Sequence, residues 1–207
     1  MKDLTRDLKE KPLRTCMKHG LQIGLPPKLK TYRDPIFDFV PLPSKEGPRR
    51  VVEIGTLQGW LAWRIMKYLP DAQLVCVDPH NDDQGEYNKR CWKKNLEPFE
   101  GERVALWAGE SEHMAKLWPC CWEIDWLFID GDHSEEAVYV DLKSWYPLVR
   151  SGGLVSGHDI SGVHGPAVGA ALHRFMSEMG IETPYSTGKV YSFTGKQITE
   201  CWWFFKG

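Results

Sequence analysis

Acidic and histidine side chains follow five separate apolar runs in this sequence, at the point where each run ends. They are Glu53, then Asp78 and His80, then Glu110, then Asp130, Asp132 and His133, and finally His158 and Asp159. Carboxylates and imidazoles can take protons, accept hydrogen bonds from hydroxyl groups and bind metal ions. If the runs are strands of one parallel sheet, these side chains meet at one edge of the sheet and form one site.

The first run continues into a loop with two glycines, in the segment 51–59 (VVEIGTLQG). Apolar residues at helical spacing follow, so the segment predicts a strand, a turn and a helix whose first N–H groups face a ligand. The spacing E-x-G-x-x-x-G is neither the G-x-G-x-x-G of dinucleotide-binding folds nor a phosphate loop with its lysine. Glu53 would repel a polyphosphate and suits a ligand with a cationic group. We therefore expect S-adenosylmethionine instead of a nucleotide triphosphate.

Asp78 ends the second run and suits an acid that accepts two hydrogen bonds from ribose hydroxyls, although a turn or cap carboxylate is the alternative. Ser111, together with Glu110, follows the third run, where the edge of an adenine ring can be read. The competing role for Ser111 is a helix N-cap, and the two roles are compatible.

If the expected S-adenosylmethionine gives its methyl group to an oxygen atom, a histidine is the natural acceptor for the proton of that oxygen. The reaction is a direct displacement, so the attacking oxygen needs only alignment and loss of its proton. Histidine titrates near neutral pH. We predict His158, Asp159 and His133 as catalytic residues, because a carboxylate beside His158 raises the basicity of the imidazole.

The order of elements explains how these side chains are brought together. Strand patterns alternate with helix patterns from residue 50 onward, which predicts βα units in a parallel sheet with helices on both faces. The strands are expected at 51–54, 73–77, 103–107, 126–129 and 153–156, and the helices at 60–69, 86–95, 112–118, 134–148 and 167–179. Two late strands, 189–194 and 201–205, are separated by a short polar turn and should pair as an antiparallel hairpin.

The fold class is therefore α/β: a Rossmann-like, doubly wound, seven-stranded sheet, mostly parallel, with a C-terminal antiparallel hairpin. Residues 1–48 stand outside the alternation. They contain one helix pattern, at about 3–18, and many prolines, which predicts an irregular N-terminal cap on a ligand-binding domain at 49–207.

Composition narrows the class of protein. The chain has 207 residues, 42% of them hydrophobic and 26% charged, with a net charge of −2, as expected for one globular domain without a nucleic-acid surface. No segment is apolar enough to span a membrane, the start is polar, and the six cysteines lack metal-ligand or disulfide-framework spacing. We expect a cytoplasmic protein with a small-molecule acceptor; a homo-oligomer stays open.

Three segments together resemble the class I S-adenosylmethionine-dependent methyltransferases, and among them the small-molecule O-methyltransferases of methyltransferase family 24. The segments are VEIGTLQG at 52–59, FIDGDHS at 128–134 and SGGLVSGHD at 151–159. The resemblance implies that Glu53, Gly55, Thr56 and Gly59 surround the methionine part of the cofactor, with Glu53 near its ammonium. It further implies Asp78 at the ribose, Glu110 and Ser111 at the adenine, and Asp130 between cofactor and acceptor.

The resemblance also implies a candidate site for a metal ion. Related O-methyltransferases hold Mg²⁺ with an acid ending strand four and an acidic or Asp-Asn pair ending strand five, which here correspond to Asp130 and to His158 with Asp159. Mg²⁺ prefers oxygen ligands, so His158 favours Mn²⁺, Fe²⁺ or Zn²⁺. Two other functions stay open: an NAD-dependent oxidoreductase, disfavoured by the missing G-x-G-x-x-G, and a non-catalytic S-adenosylmethionine-binding protein. The acceptor is expected to be a small hydroxylated molecule, such as a sugar or a secondary metabolite.

Overall fold

The computed structural model describes residues 49–99, 101, 103–161, 163–182, 184–186, 190–191, 197–198 and 201–207. The predicted N-terminal cap at 1–48 lies outside these residues. Within the described residues, no helix is both long and apolar enough to cross a membrane.

Strands and helices alternate from residue 50 to residue 179, as the sequence predicts. The strands are β1 Arg50–Ile54, β2 Gln73–Val77, β3 Val104–Trp107, β4 Ile124–Ile129 and β5 Val149–Gly157. The helices are α1 Trp60–Tyr68, α2 Gly85–Leu96, α3 Ser111–Leu117, α4 Glu135–Trp145 and α5 Gly165–Met179. The short strands β6 Tyr185–Ser186, β7 Val190–Tyr191 and β8 Gln197–Ile198 follow, and then β9 Trp202–Phe205.

The main sheet has the order β3-β2-β1-β4-β5-β9-β6. Strands β1 to β5 run parallel, whereas β9 pairs antiparallel with both β5 and β6. Strand order reverses between β1 and β4, so the crevice that receives ligands in such sheets opens beyond the carboxyl ends of these two strands. The predicted α/β, Rossmann-like, mostly parallel sheet with antiparallel C-terminal strands is confirmed.

The pairing of the last strands differs from the predicted hairpin. β9 does not pair with the described part of the predicted strand 189–194, which is β7; its neighbours are β5 and the two-residue β6, while β7 pairs with β8 in a separate two-stranded sheet. The main sheet thus consists of six strands of at least four residues and one two-residue edge strand. A turn between two apolar runs favours a hairpin locally, but here β5 offers an open edge that β9 fills.

The core explains why the parallel strands are nearly continuous apolar runs. Alternate residues of β1 face opposite sides of the sheet: Val52 packs in one buried cluster with Trp145, and Val51 packs in another with Ile65. Both faces are therefore covered, as is usual for parallel sheets. The start of α4 follows the predicted signals, since the Ser134 hydroxyl accepts a hydrogen bond from the N–H of Ala137 at 3.4 Å.

Candidate functional site

A cavity of about 980 Å³ opens at the carboxyl ends of the parallel strands. Ten of the eleven residues predicted for the site line it: Glu53, Gly55, Thr56, Asp78, Glu110, Ser111, Asp130, His133, His158 and Asp159. The exception is Gly59, which precedes α1; its Cα faces the side chains of Trp92 and Leu96 on α2. The structure thus brings the predicted residues together around one cavity and puts Gly59 at a helix–helix contact.

Glu53 ends β1 and is 2% exposed. The Thr56 hydroxyl donates to its Oε2 at 2.8 Å, and the Cys76 thiol donates to the same atom at 3.4 Å. Burial raises the pKa of Glu53 to about 8, against these two hydrogen bonds, and the nearby Asp130 and Asp78 add to the increase. Glu53 is therefore a buried acid that has hydroxyl and thiol donors beside it.

Gly55 turns the chain out of β1 with φ at +80°, in the left-handed region. A Cβ at this position would stand 2.2 Å from the carbonyl oxygen of Asp130 and 2.5 Å from the Cα of Gly131. Both the backbone angle and the space require glycine. The loops after β1 and β4 therefore touch through their main chains at the floor of the cavity.

Asp78 ends β2 and holds the loop after β1 in place. Its Oδ2 accepts the N–H of Leu57 at 2.8 Å, and its Oδ1 accepts the N–H of His80 at 2.9 Å. The His80 ring donates from Nε2 to the carbonyl of Leu57 at 2.7 Å, which ties the same two loops together again. Leu57 and His80 both have positive φ, at 48° and 45°. The sequence grouped His80 with the strand-end residues but assigned it no role, and it lines the cavity.

Beyond β3, a group of side chains connects the cavity wall to helix α4. Glu110 precedes α3, is exposed and accepts a hydrogen bond from the Asn81 amide at 2.9 Å. The Ser111 hydroxyl accepts from the Trp145 indole at 2.8 Å and donates to the carboxylate of Asp141. Burial raises the pKa of Asp141 to about 6, the Ser111 hydrogen bond opposes the increase, and Asp132 and Glu110 add to it.

Asp141 was missed in the sequence, although it lines the cavity and is 6% exposed. A signal was present. Ala137, Asp141 and Trp145 are spaced by four residues and so lie on one face of α4, where an acid interrupts an otherwise apolar stripe.

Four side chains converge after β4 and β5. His133 Nε2 lies 2.8 Å from Asp159 Oδ2 and 3.3 Å from Asp130 Oδ1. His158 Nδ1 lies 3.2 Å from the same Asp159 oxygen and 3.9 Å from Asp130 Oδ1. His164 stacks on His133 with ring centroids 4.7 Å apart. The predicted catalytic trio is thus one hydrogen-bonded and ion-paired cluster in which Asp159 makes the shortest contacts, and Asp130 lies beside both histidines.

The charges in this cluster depend on one another. Hydrogen bonds with Asp130 and Asp159 raise the pKa of His133 to about 10, so its imidazole is protonated at neutral pH. Partial burial opposes ionisation of Asp159, but the hydrogen bonds from His133 and His158 together outweigh it and lower the pKa of Asp159. Burial raises the pKa of Asp130, although the His133 hydrogen bond works in the other direction. His133 is therefore a cation held between Asp130 and Asp159.

Among the described residues, one group has the donors and spacing for a metal ion. Asp130, His133 and Asp159 each offer one ligand atom, and these atoms lie within 4.8 Å of one another. The imidazole in this group belongs to His133, whereas the sequence suggested His158 as the metal ligand. Two carboxylate oxygens and one imidazole nitrogen suit Mn²⁺, Fe²⁺ or Zn²⁺ better than Mg²⁺, and an ion would have to displace the proton of His133.

Comparisons with known proteins bear on the fold and the family. The sequence profile of a family described as a methyltransferase domain matches residues 52–160, more than half of the chain. No curated protein sequence matches the chain.

Three solved structures are similar in fold. TomG from Streptomyces achromogenes, an O-methyltransferase involved in tomaymycin synthesis and solved in complex with S-adenosylmethionine, is 19% identical; the match covers 78% of this chain and 75% of that one, with a TM-score of 0.60. A candidate O-methyltransferase from Klebsiella pneumoniae is 22% identical, with 77% and 74% covered and a TM-score of 0.59. An O-methyltransferase from Bacillus cereus, solved with S-adenosylhomocysteine, is 18% identical, with 78% and 76% covered and a TM-score of 0.57. At these identities the likeness establishes a shared fold.

Proposed function

The chain belongs to the methyltransferase-domain family that matches residues 52–160, and on this premise we propose that it transfers a methyl group from S-adenosylmethionine to a hydroxyl oxygen of a small molecule. Two similar structures support this choice of cofactor and reaction, since they are O-methyltransferases solved with S-adenosylmethionine or S-adenosylhomocysteine. The chain's own residues supply the stronger support.

The observation that carries the proposal is the set of side chains that line the cavity at the carboxyl ends of the strands. A buried acid with an elevated pKa (Glu53), an acid whose two oxygens each accept a backbone N–H (Asp78), and a paired histidine and acid (His158 and Asp159) line the same space. A cofactor with a cationic amino acid end, a ribose and a base matches the first two features. An acceptor that must lose a proton matches the third.

The cofactor's methionine end would lie against the loop after β1. We assign Glu53 to its ammonium, because a buried carboxyl with an elevated pKa gains a counter-charge when that group arrives. Gly55 and Thr56 would line the passage beside it. Asp78 would accept the ribose hydroxyls, since each of its oxygens has a second lone pair beyond the one that takes a backbone N–H. The base would then lie near Glu110 and Ser111.

The acceptor would lie over the β4–β5 side of the cavity. In a direct displacement the protein aligns the attacking oxygen with the methyl group and removes the oxygen's proton. We propose His158 as the base, oriented through Nδ1 by Asp159 at 3.2 Å. His133 is an unsuitable base because two carboxylates hold its proton; it would instead position Asp130 and Asp159.

A divalent ion is compatible with this arrangement. Asp130, His133 and Asp159 would hold it, and it would polarise the acceptor oxygen as a Lewis acid. The steps assigned to His158 are the same whether or not an ion binds.

Two measurements test the function. Calorimetric titration should give binding of S-adenosylmethionine, with and without EDTA and added Mn²⁺ or Zn²⁺. An assay for released S-adenosylhomocysteine with hydroxylated sugars and phenols should identify an acceptor. Thermal stabilisation by NAD, with none by S-adenosylmethionine, would exclude the proposal and favour an oxidoreductase. Cofactor binding without product from a broad acceptor panel would favour a binding protein.

A further inference from the structure

Ser111 was expected to read the base of the cofactor, but its hydroxyl is already engaged. Its oxygen accepts the Trp145 N–H at 2.8 Å, and its single hydrogen goes to Asp141. A serine hydroxyl has one hydrogen to donate, so none is left for a ring nitrogen. The polar group that remains at this part of the wall is the carboxylate of Asp141.

Asp141 and Gly131 both line the cavity and lie close together, and we call the space beside them the notch. Asp141 is only 6% exposed, yet it borders the cavity. A Cβ on Gly131 would stand 3.6 Å from Asp141 Oδ2 and 3.7 Å from a methyl group of Ile54, in ordinary van der Waals contact. A larger side chain at 131 would therefore cover the carboxylate, and glycine leaves it facing the ligand space.

The charges around the notch determine which group can enter it. Ser111 gives its only hydrogen to Asp141, and among the described residues the carboxyl groups of Asp132 and Glu110 act on Asp141. The carboxyl groups of Asp141, Glu110 and Asp132 are all acceptors when ionised. The notch therefore attracts a hydrogen-bond donor and repels an acceptor. The purine of the proposed cofactor has one such donor at its edge, the exocyclic amine.

We propose that Asp141 accepts a hydrogen bond from the exocyclic amine of the cofactor's adenine and thereby selects a 6-amino purine over a 6-oxo purine. This inference rests on the proposed function. It extends the predicted adenine contacts, Glu110 and Ser111, to a residue on the far helix of the wall. The chain Trp145–Ser111–Asp141 then fixes the carboxylate so that its free edge faces the base.

The test compares binding of two ligands that differ only at this amine. S-Adenosylhomocysteine and its deaminated analogue, S-inosylhomocysteine, are titrated calorimetrically into the full chain and into the variant Asp141→Asn. In the unmodified protein the deaminated ligand should bind about 30-fold more weakly, the range expected for a charged hydrogen bond replaced by two facing acceptors. In Asp141→Asn the amide oxygen takes the Ser111 hydrogen and the NH₂ group faces the notch. The ratio should therefore fall to about threefold or reverse.

A second variant tests the notch without changing a charge. Gly131→Ala adds one methyl group at van der Waals distance from Asp141, so the ligand-free protein should keep its melting temperature within about 3 °C. It should weaken binding of S-adenosylhomocysteine by about fivefold, since the base edge loses room.

The outcomes separate this inference from the function on which it rests. If S-adenosylhomocysteine does not bind the unmodified protein, the proposed function fails. If it binds, but Asp141→Asn weakens both ligands by the same factor, Asp141 is only structural and the inference is overturned. Unchanged affinity in Gly131→Ala would also overturn it, because the base would then lie elsewhere.

Discussion

On the β1–β2 side of the cavity, Glu53 is buried and accepts hydrogen bonds from a hydroxyl and a thiol, whereas on the β4–β5 side Asp159 contacts two imidazoles. The pKa of Glu53 is raised to about 8, and the pKa of Asp159 is lowered. Two acids at the ends of strands in one sheet therefore differ in their preferred charge state. Glu53 is held neutral, and Asp159 is held ionised.

The difference indicates which step of the proposed reaction each side of the cavity is suited to. An acid held neutral by burial is stabilised when a cation enters beside it, so the β1–β2 side is suited to receive charge from a ligand. An acid ionised by its own histidines already has its counter-charge, so the β4–β5 side is suited to orient a base and move a proton. Four experiments test whether the two sides differ in this way.

The largest effect is expected from Gly55→Ala, which should disrupt both sides together. The new Cβ would overlap the main chain at Asp130, and φ at +80° disfavours any side chain. We expect a loss of about 4 kcal/mol or more in the free energy of unfolding, measured by denaturant titration.

A matched control is Gly180→Ala at the end of α5. This glycine also has a positive φ, at 63°, but no atom lies within 4 Å of its Cβ position. The cost there should be about 1 kcal/mol from the backbone angle alone. Equal costs at the two positions would mean that the loops after β1 and β4 do not depend on their close contact.

Asp159→Asn should strongly reduce turnover while leaving cofactor binding intact. Asparagine tolerates the positive φ of 59° at this position, so the backbone is preserved while the charge is lost. Turnover should fall by about 10²–10⁴-fold, because His158 loses the carboxylate that orients it. The assay is release of S-adenosylhomocysteine, with calorimetry for the cofactor; failure of the variant to bind cofactor would move Asp159 to the other side of the comparison.

Glu53→Gln should change how stability and cofactor affinity depend on pH. The folded pKa of about 8 lies above the ordinary 4.5, so the stability contributed by neutral Glu53 is fully present below pH 4.5 and is lost as pH rises through 8. Relative to Glu53→Gln, the unmodified protein should lose a few kcal/mol over this interval. Unfolding titrations at several pH values measure the difference.

The same acid should make cofactor binding release protons. Pairing with the ligand's ammonium ionises Glu53, so binding enthalpies near pH 7 should vary with the ionisation enthalpy of the buffer. In Glu53→Gln this part of the buffer dependence should vanish. A buffer dependence that persists unchanged in the variant would contradict the assignment of Glu53 to the ammonium.

The smallest of the four effects is expected for Asp78→Ala. Loss of this acceptor should weaken S-adenosylmethionine binding by about 1–3 kcal/mol, since ribose hydroxyls and the N–H groups of Leu57 and His80 lose their partner. Asp82→Ala is the control, because Asp82 also lines the cavity and caps a turn nearby through the N–H of Gln84. Equal losses in the two variants would remove Asp78 from the ribose.

The sequence was sufficient for the parallel part of the sheet and for the clustering of the strand-end residues, because both follow from local patterns. Apolar runs alternate with helical stripes, and the carboxyl ends of parallel strands share one edge. The late strands were predicted less well: β9 pairs with β5 and β6 rather than in a hairpin, and local propensity does not reveal which sheet edge is open.

The details of the site were harder to predict than its position. Asp141 is separated from Ser111 by 30 residues, and its burial depends on how α3 and α4 pack. The distinction between His133 and His158 depends on which imidazole lies between two carboxylates, a difference of tenths of an ångström that spacing alone does not contain. Gly59 resembled a ligand glycine because its role in packing against Trp92 becomes visible only once α2 is in place.

The main-chain contact at Gly55 also limits how the protein can be redesigned. The loops after β1 and β4 meet there without intervening side chains, so replacing either one with a segment from another protein would leave it mismatched with the other. They are best exchanged as one module. The segment after β5 is different, since Val163 is 87% exposed there. A mutant library should keep the two loops together and can place its diversity around Val163.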